Sequence, residues 1–101
     1  DRARVGLPMT AFVIIRAQHS PDWLERFRSA LEELPEILEC HRLTGHADYI
    51  LKVVVPDIAG YDALYKRLIS RLEIQDVSSH ISMEIVKESM AVRLPNSRYA
   101  A

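Results

Sequence analysis

The side chains here that could ligate a metal or act as nucleophiles are few: His19, His41, His46 and His80, and the single cysteine, Cys40. A zinc site uses such residues at short repeated spacings, such as two histidines one helical turn apart or paired cysteines. None of the four histidines stands at that spacing to another. Cys40 and His41 are adjacent in a strand-like run, so they would point to opposite faces of a sheet. The sequence also lacks G-x-S-x-G, a P-loop and G-x-G-x-x-G, and its three glycines leave little backbone for cradling a phosphate. These residues imply neither an enzyme nor a metal or other cofactor. The chemistry that remains is recognition, concentrated in a polar connection, Gly45-His46-Ala47-Asp48, between two strand-like runs.

The elements that must position that connection follow from hydrophobic period and capping chemistry. Thr10 to Ala17 is apolar on both alternating sets and predicts a strand buried on two faces. Ser20-Pro21-Asp22 supplies an N-cap, a proline at the first helical position and an acid in the first turn. In the helix that follows, Leu24, Phe27, Leu31 and Leu34, with Ala30 beside them, form the apolar stripe, and Pro35 ends it. Ile37 to Thr44 carries charge on both parities, as an edge strand can. A four-residue hairpin loop, 45 to 48, then leads into a second strongly apolar strand, Tyr49 to Val55. Pro56-Asp57 caps a second helix with a Tyr61, Leu64, Tyr65, Leu68 and Leu72 stripe. A last strand is expected from Val77 to about Val86, with Val77, Ile81, Met83 and Ile85 on its apolar face and Ser78, His80, Ser82 and Glu84 on its polar face.

The order β-α-β-β-α-β, with short right-handed connections, predicts an α+β ferredoxin-like domain: a four-stranded antiparallel sheet, order 4-1-3-2, with both helices on one face. Strands 1 and 3 are then central, but they are apolar toward the uncovered face as well. A second copy packed sheet to sheet is the expected cover, giving at least a homodimer.

Composition limits the partners. Thirteen basic against fourteen acidic residues leave a formal charge of −1, too little field to hold a nucleic-acid backbone or an anionic membrane. The lone cysteine fits a reducing compartment, and no apolar run is long enough to span a bilayer, so a cytoplasmic location is expected. Residues 1–9, with Gly6 and Pro8 and no regular period, read as a hinge following an upstream part; residues 10–94 read as the folded domain and 95–101 as a turn-rich tail.

The run from Cys40 to Asp57, with Leu34-Pro35-Glu36, Tyr61, Met83-Glu84 and Lys87, resembles the effector-binding (RAM) domain of the Lrp/AsnC transcription regulators over about Val5 to Leu94. The resemblance implies a βαββαβ domain that dimerises through its sheets and assembles into tetramers or octamers. It implies binding of an amino acid or similar metabolite at subunit interfaces, and DNA binding only through an N-terminal helix-turn-helix that these residues lack. The pocket it implies maps to Arg42, Thr44, Gly45, His46, Ala47 and Asp48 around the loop, Ile58 at the second helix start, and His80 and Ser82 on the last strand of a neighbouring subunit.

The chemistry of these residues suits an amino acid: Asp48 can accept from an ammonium, and Gly45 lets the backbone come close. Each also has a structural use, since Gly45 suits a positive-φ turn and Asp48 can bond turn amides. The family's loop commonly reads Gly-Asp-aromatic-Asp-Tyr, whereas here His46 and Ala47 replace the acid and the ring, so no particular effector carries over. Two other readings stay beside this one: a stand-alone oligomerisation module, and a small dimeric α+β barrel enzyme with His80 as its reactive group.

Overall fold

The computed structural model describes residues 8–17 and 20–89. Six elements follow one another: β1 (Met9–Arg16), α1 (Pro21–Glu33), β2 (Ile37–Arg42), β3 (Tyr49–Val55), α2 (Ile58–Arg71) and β4 (Asp76–Ile81). They form one antiparallel sheet in the order β2-β3-β1-β4, the arrangement expected from the sequence. Most of the expected hinge, the tail 95–101 and His19 lie outside the described residues, and β1 begins one residue earlier than expected, at Met9.

Local chemistry sets the helix ends. The Ser20 hydroxyl accepts from the Trp23 N–H at 3.1 Å, and the Asp57 carboxylate accepts from the Gly60 N–H at 2.8 Å, each satisfying an amide with no partner inside its helix. Both helices cover the face of the sheet formed by Ala11, Val13 and Ile15 of β1 and Leu51, Val53 and Val55 of β3. The α1 stripe differs from expectation. Trp23, Phe27, Ala30 and Leu34 are its buried residues, while Leu24 and Leu31 flank them half-buried. Trp23 packs with its ring 4.7 Å from Phe27 and 5.9 Å from Tyr49. On α2, Leu64, Leu68 and Leu72 are buried and the two tyrosines half-buried.

The open face carries the alternate residues. Register pairs Ile14 with Ile50 and Thr10 with Val54, and places Phe12 opposite Lys52. The half-exposed Phe12, Ile14, Ile50 and Val54 thus form an apolar strip, edged by Glu39 and His41 on β2 and by Ser78 and His80 on β4. Cys40 faces the helices opposite Leu51, and His41 faces away opposite Ile50.

Two strands are shorter than expected. β2 is regular only to Arg42, although the Leu43 N–H still donates to the Asp48 carbonyl at 2.8 Å in the register of the Arg42–Tyr49 pair, so the bond closes a four-residue turn at 44–47, shifted by one residue from the loop expected at 45–48. β4 stops at Ile81 rather than running to Val86. Ile81 lies opposite Ala11, and beyond it the Ser82 N–H still reaches the Thr10 carbonyl at 2.8 Å; only Met9 of β1 remains past that point, and Pro8 has no N–H to offer a longer ladder. Met83, Ile85 and Val86 are therefore exposed, at 96%, 54% and 89%, instead of covering the sheet.

Candidate functional site

The loop after β2 is held to the end of β1 by its own backbone and by one carboxylate. The Asp48 N–H donates to the Ile15 carbonyl at 2.9 Å, and the Asp48 Oδ2 accepts from the Ala17 N–H at 2.9 Å. Asp48 therefore does structural work whatever else it does. It fixes one end of the bend, and the Leu43-to-Asp48 bond fixes the other. Gly45 lies between them with φ +98°, a conformation in which a Cβ is strained, although no heavy atom stands within 4 Å of where that Cβ would be. The turn, not a close neighbour among the described residues, accounts for glycine there.

This leaves Thr44, Gly45 and His46 exposed on a pinned bend, with Arg42 exposed at the end of β2 and Ala47 half-buried below them. The bend presents one imidazole, one hydroxyl, one guanidinium and backbone amides, a set able to hydrogen-bond a small polar molecule.

The other three candidates lie elsewhere in the same chain. Ile58 opens α2, just past the opposite end of β3, roughly 20 Å from the loop at about 3.3 Å per strand residue. His80 and Ser82 lie on the β4 side, across the sheet from Arg42. Ile58 is 61% exposed, and the His80 Nε2 is 2.9 Å from the Ser78 hydroxyl. One chain thus brings together the loop residues but not these three.

Electrostatics around the sheet are local. The His41 imidazole bonded to Glu39 at 2.9 Å, and the nearby Lys52, hold the Glu39 carboxyl below its usual range against a smaller opposing effect of burial. Burial pushes the Cys40 thiol up, away from the reactive thiolate. Among the described residues no three His, Cys, Asp or Glu side chains come together as a metal site would need, and no helix is long and apolar enough to cross a membrane.

Sequence reasoning missed Trp23, whose indole N–H donates to the Glu73 carbonyl at 2.7 Å and joins the start of α1 to the segment before β4. The signal was present, since Trp23 continues the Phe27, Ala30 and Leu34 spacing one turn back. It also missed the Tyr61–Ser79 hydroxyl contact that ties α2 to β4.

Comparison with known proteins agrees with this architecture. Residues 10–92 match the model of the Lrp/AsnC ligand binding domain. The chain is 47% identical over 98 residues to the glutamate uptake regulatory protein of Zymomonas mobilis, covering 96% of this chain and 60% of that protein. It is 42% identical over 89 residues to the DNA-binding transcriptional activator DecR of Escherichia coli, covering 86% of this chain and 59% of that protein. The chain therefore spans about 60% of the length of these relatives.

Among solved structures, an AsnC family transcriptional regulator from Agrobacterium tumefaciens superposes with TM-score 0.78 at 46% identity, covering all of this chain and 65% of that one. A Neisseria meningitidis transcriptional regulator in complex with L-Met superposes with TM-score 0.81 at 26% identity, over 94% of this chain and 62% of that one. These relatives are regulators, so the enzyme reading with a reactive His80 is set aside. The chain belongs to the Lrp/AsnC family, and what it carries is that family's ligand-binding domain.

Proposed function

We propose that this domain senses a small effector, an amino acid or a closely related metabolite, at an interface between copies of the chain, and so modulates DNA binding by a helix-turn-helix domain joined upstream. The observation that carries the reading is the pinned bend at Thr44–His46, whose polar groups are exposed while Asp48 and Leu43 hold the backbone below them. The L-Met complex of the Neisseria regulator supports an amino acid as the ligand class.

The effector-binding residues are Arg42, Thr44, Gly45, His46, Ala47 and Asp48 of one subunit, completed by Ile58, His80 and Ser82 from a neighbour. Their separation within one chain is what a site shared between subunits requires. His46 offers a ring that donates or accepts where an acid could only accept, and Ala47 leaves space where an aromatic ring would stand, so the preferred effector is not leucine by default.

The assembly unit is a homodimer joined through the apolar strip of Phe12, Ile14, Ile50 and Val54, and dimers associate into a tetramer or octamer. A ligand bound between subunits shifts such an assembly only through its different affinity for the two states, typically about 1 to 3 kcal/mol of coupling. The protein works in the cytoplasm, in keeping with a single cysteine and regulator relatives.

Calorimetric titration with the twenty amino acids, followed by sizing with and without the strongest binder, tests this. The expected result is one or a few binders that change the assembly. Absence of any binding, with no change in size, reduces the domain to an oligomerisation module.

A further inference from the structure

A cavity of about 750 Å3 opens on the helix side of the sheet, between the start of α1, the end of α2 and the segment leading into β4. It shares no residue with the 42–48 loop, and every wall comes from one chain. Its volume is that of small-molecule sites, which run to roughly 300 to 1,000 Å3.

Tyr65, Ile69, Ile74 and Val77 give it an apolar lining, with the Trp23 indole beside them. Ile69 is 42% exposed there, an apolar surface left open by the described residues. The walls are preset. The Trp23 indole N–H is bonded to the Glu73 carbonyl at 2.7 Å, and the Gln75 N–H to the Arg16 carbonyl at 2.9 Å, so the segment that carries the acids is anchored to both α1 and β1.

Charge selects the occupant. Four charged side chains line the cavity: Asp22, Arg26, Glu73 and Asp76. Asp22 and Arg26 pair with each other at 3.5 Å, one helical turn apart. Among the described residues neither Glu73 nor Asp76 forms an ion pair, although Arg16 is the cross-strand neighbour of Asp76, so two carboxylates stand unpaired beside hydrocarbon and an indole. An anion is repelled. A bare metal ion finds too few ligands, since no group of three candidate side chains forms among the described residues. A cation that carries its own apolar body satisfies both features, with its ammonium at the carboxylates and its hydrocarbon on the lining.

We propose that this cavity is a second ligand site, separate from the loop, that binds a small organic ammonium with an apolar body. The ammonium lies between Glu73 and Asp76, and the body lies against Ile69, Ile74 and Trp23. The ligand is either a simple amine or an α-amino acid whose carboxylate draws Arg26 away from Asp22. The site needs no second subunit, so it stands or falls independently of effector binding at the loop.

Trp23 is the only tryptophan in the chain and lines this cavity, so its fluorescence reports occupancy directly. Titration of the chain with phenethylamine should give a saturable change, and 3-phenylpropionate, which has the same body and the opposite charge, should give none. The double substitution E73Q/D76N should weaken phenethylamine about fivefold or more while the far-UV spectrum and sedimentation stay as in the parent. Phenylalanine binding more tightly than phenethylamine identifies an amino acid as the natural class, and weaker binding identifies a simple amine. Amide shifts on titration should centre on Ile69, Ile74 and Val77. No saturable response to phenethylamine, an equal response to 3-phenylpropionate, unchanged affinity in E73Q/D76N, or shifts centred on residues 44–48 would each overturn the proposal.

Discussion

Replacing Asp48 with alanine separates the two jobs this residue can do. Its Oδ2 accepts the Ala17 N–H at 2.9 Å, and Ala17 is only 5% exposed, so water cannot readily take over the acceptor role. Orphaning a buried amide donor costs about 1 to 3 kcal/mol, and because the lost acceptor is a carboxylate we expect about 2 kcal/mol for D48A. In a domain of this size that lowers Tm by roughly 8 to 16 °C. Asn retains a carbonyl at the same reach, so D48N should lose less than about 1 kcal/mol.

Urea unfolding at one fixed protein concentration measures both, since the stability of an assembling chain depends on protomer concentration. The same pair of variants then probes ligand chemistry. Asn keeps the loop in place but cannot offer a full negative charge to an ammonium, so D48N should bind the effector at least about tenfold more weakly while staying nearly as stable as the parent. D48A unfolding within about 0.5 kcal/mol of the parent would refute the structural half of this reasoning. D48N binding the effector with parental affinity would confine the carboxylate to its structural role.

Three further perturbations test other parts of the account. Leu51 is fully buried at the centre of the sheet, so L51A should cost about 2 to 5 kcal/mol by urea unfolding, with the m value unchanged. At Gly45 a Cβ meets nothing, so G45A should cost only the left-handed backbone strain, about 1 to 2 kcal/mol, and a larger loss would mean a neighbour the chain alone does not contain. The Glu36 carboxyl is held below the usual carboxylate range, first by a backbone N–H at its own position and then by Arg67 of α2, against an opposing effect of burial. Its pKa is lower folded than unfolded, so its stabilisation is present above about pH 4.5 and fades as pH falls through the lowered value; E36Q should flatten the acid side of the stability profile.

Much of the fold can be read locally because its signals are local. Ser20-Pro21-Asp22 and Asp57 are caps whose hydrogen bonds span three residues, and the two-sided apolar runs of β1 and β3 announce central strands. What escapes the sequence depends on a distant partner. β4 ends opposite Ala11, with only Thr10 and Met9 of β1 beyond that point, although its own residues alternate as far as Ile85. Leu43 continues the strand-like pattern and its N–H still bonds the Asp48 carbonyl opposite it, so the turn falls at 44–47, one residue before the position that Gly45 alone suggests. Trp23 follows a proline and an acid, a context that reads as helix start, and only the facing Phe27 and Tyr49 rings show it to be core.

The site divides the same way. Residues 42–48 form one compact bend because they are adjacent in sequence, and the half-buried Asp48 beneath them shows how the bend is held. Ile58, His80 and Ser82 lie at the other end and the other edge of the sheet. Their distance from the loop is invisible to residue type, because it is set by strand order.

The claim on which the rest depends is that this domain binds its effector between copies of itself. Sedimentation velocity at micromolar concentration, with and without the tightest-binding amino acid, tests it most directly. The expected result is a dimer or larger species whose distribution shifts when the effector is added. A single 11.6 kDa species, unchanged by every amino acid, would contradict it.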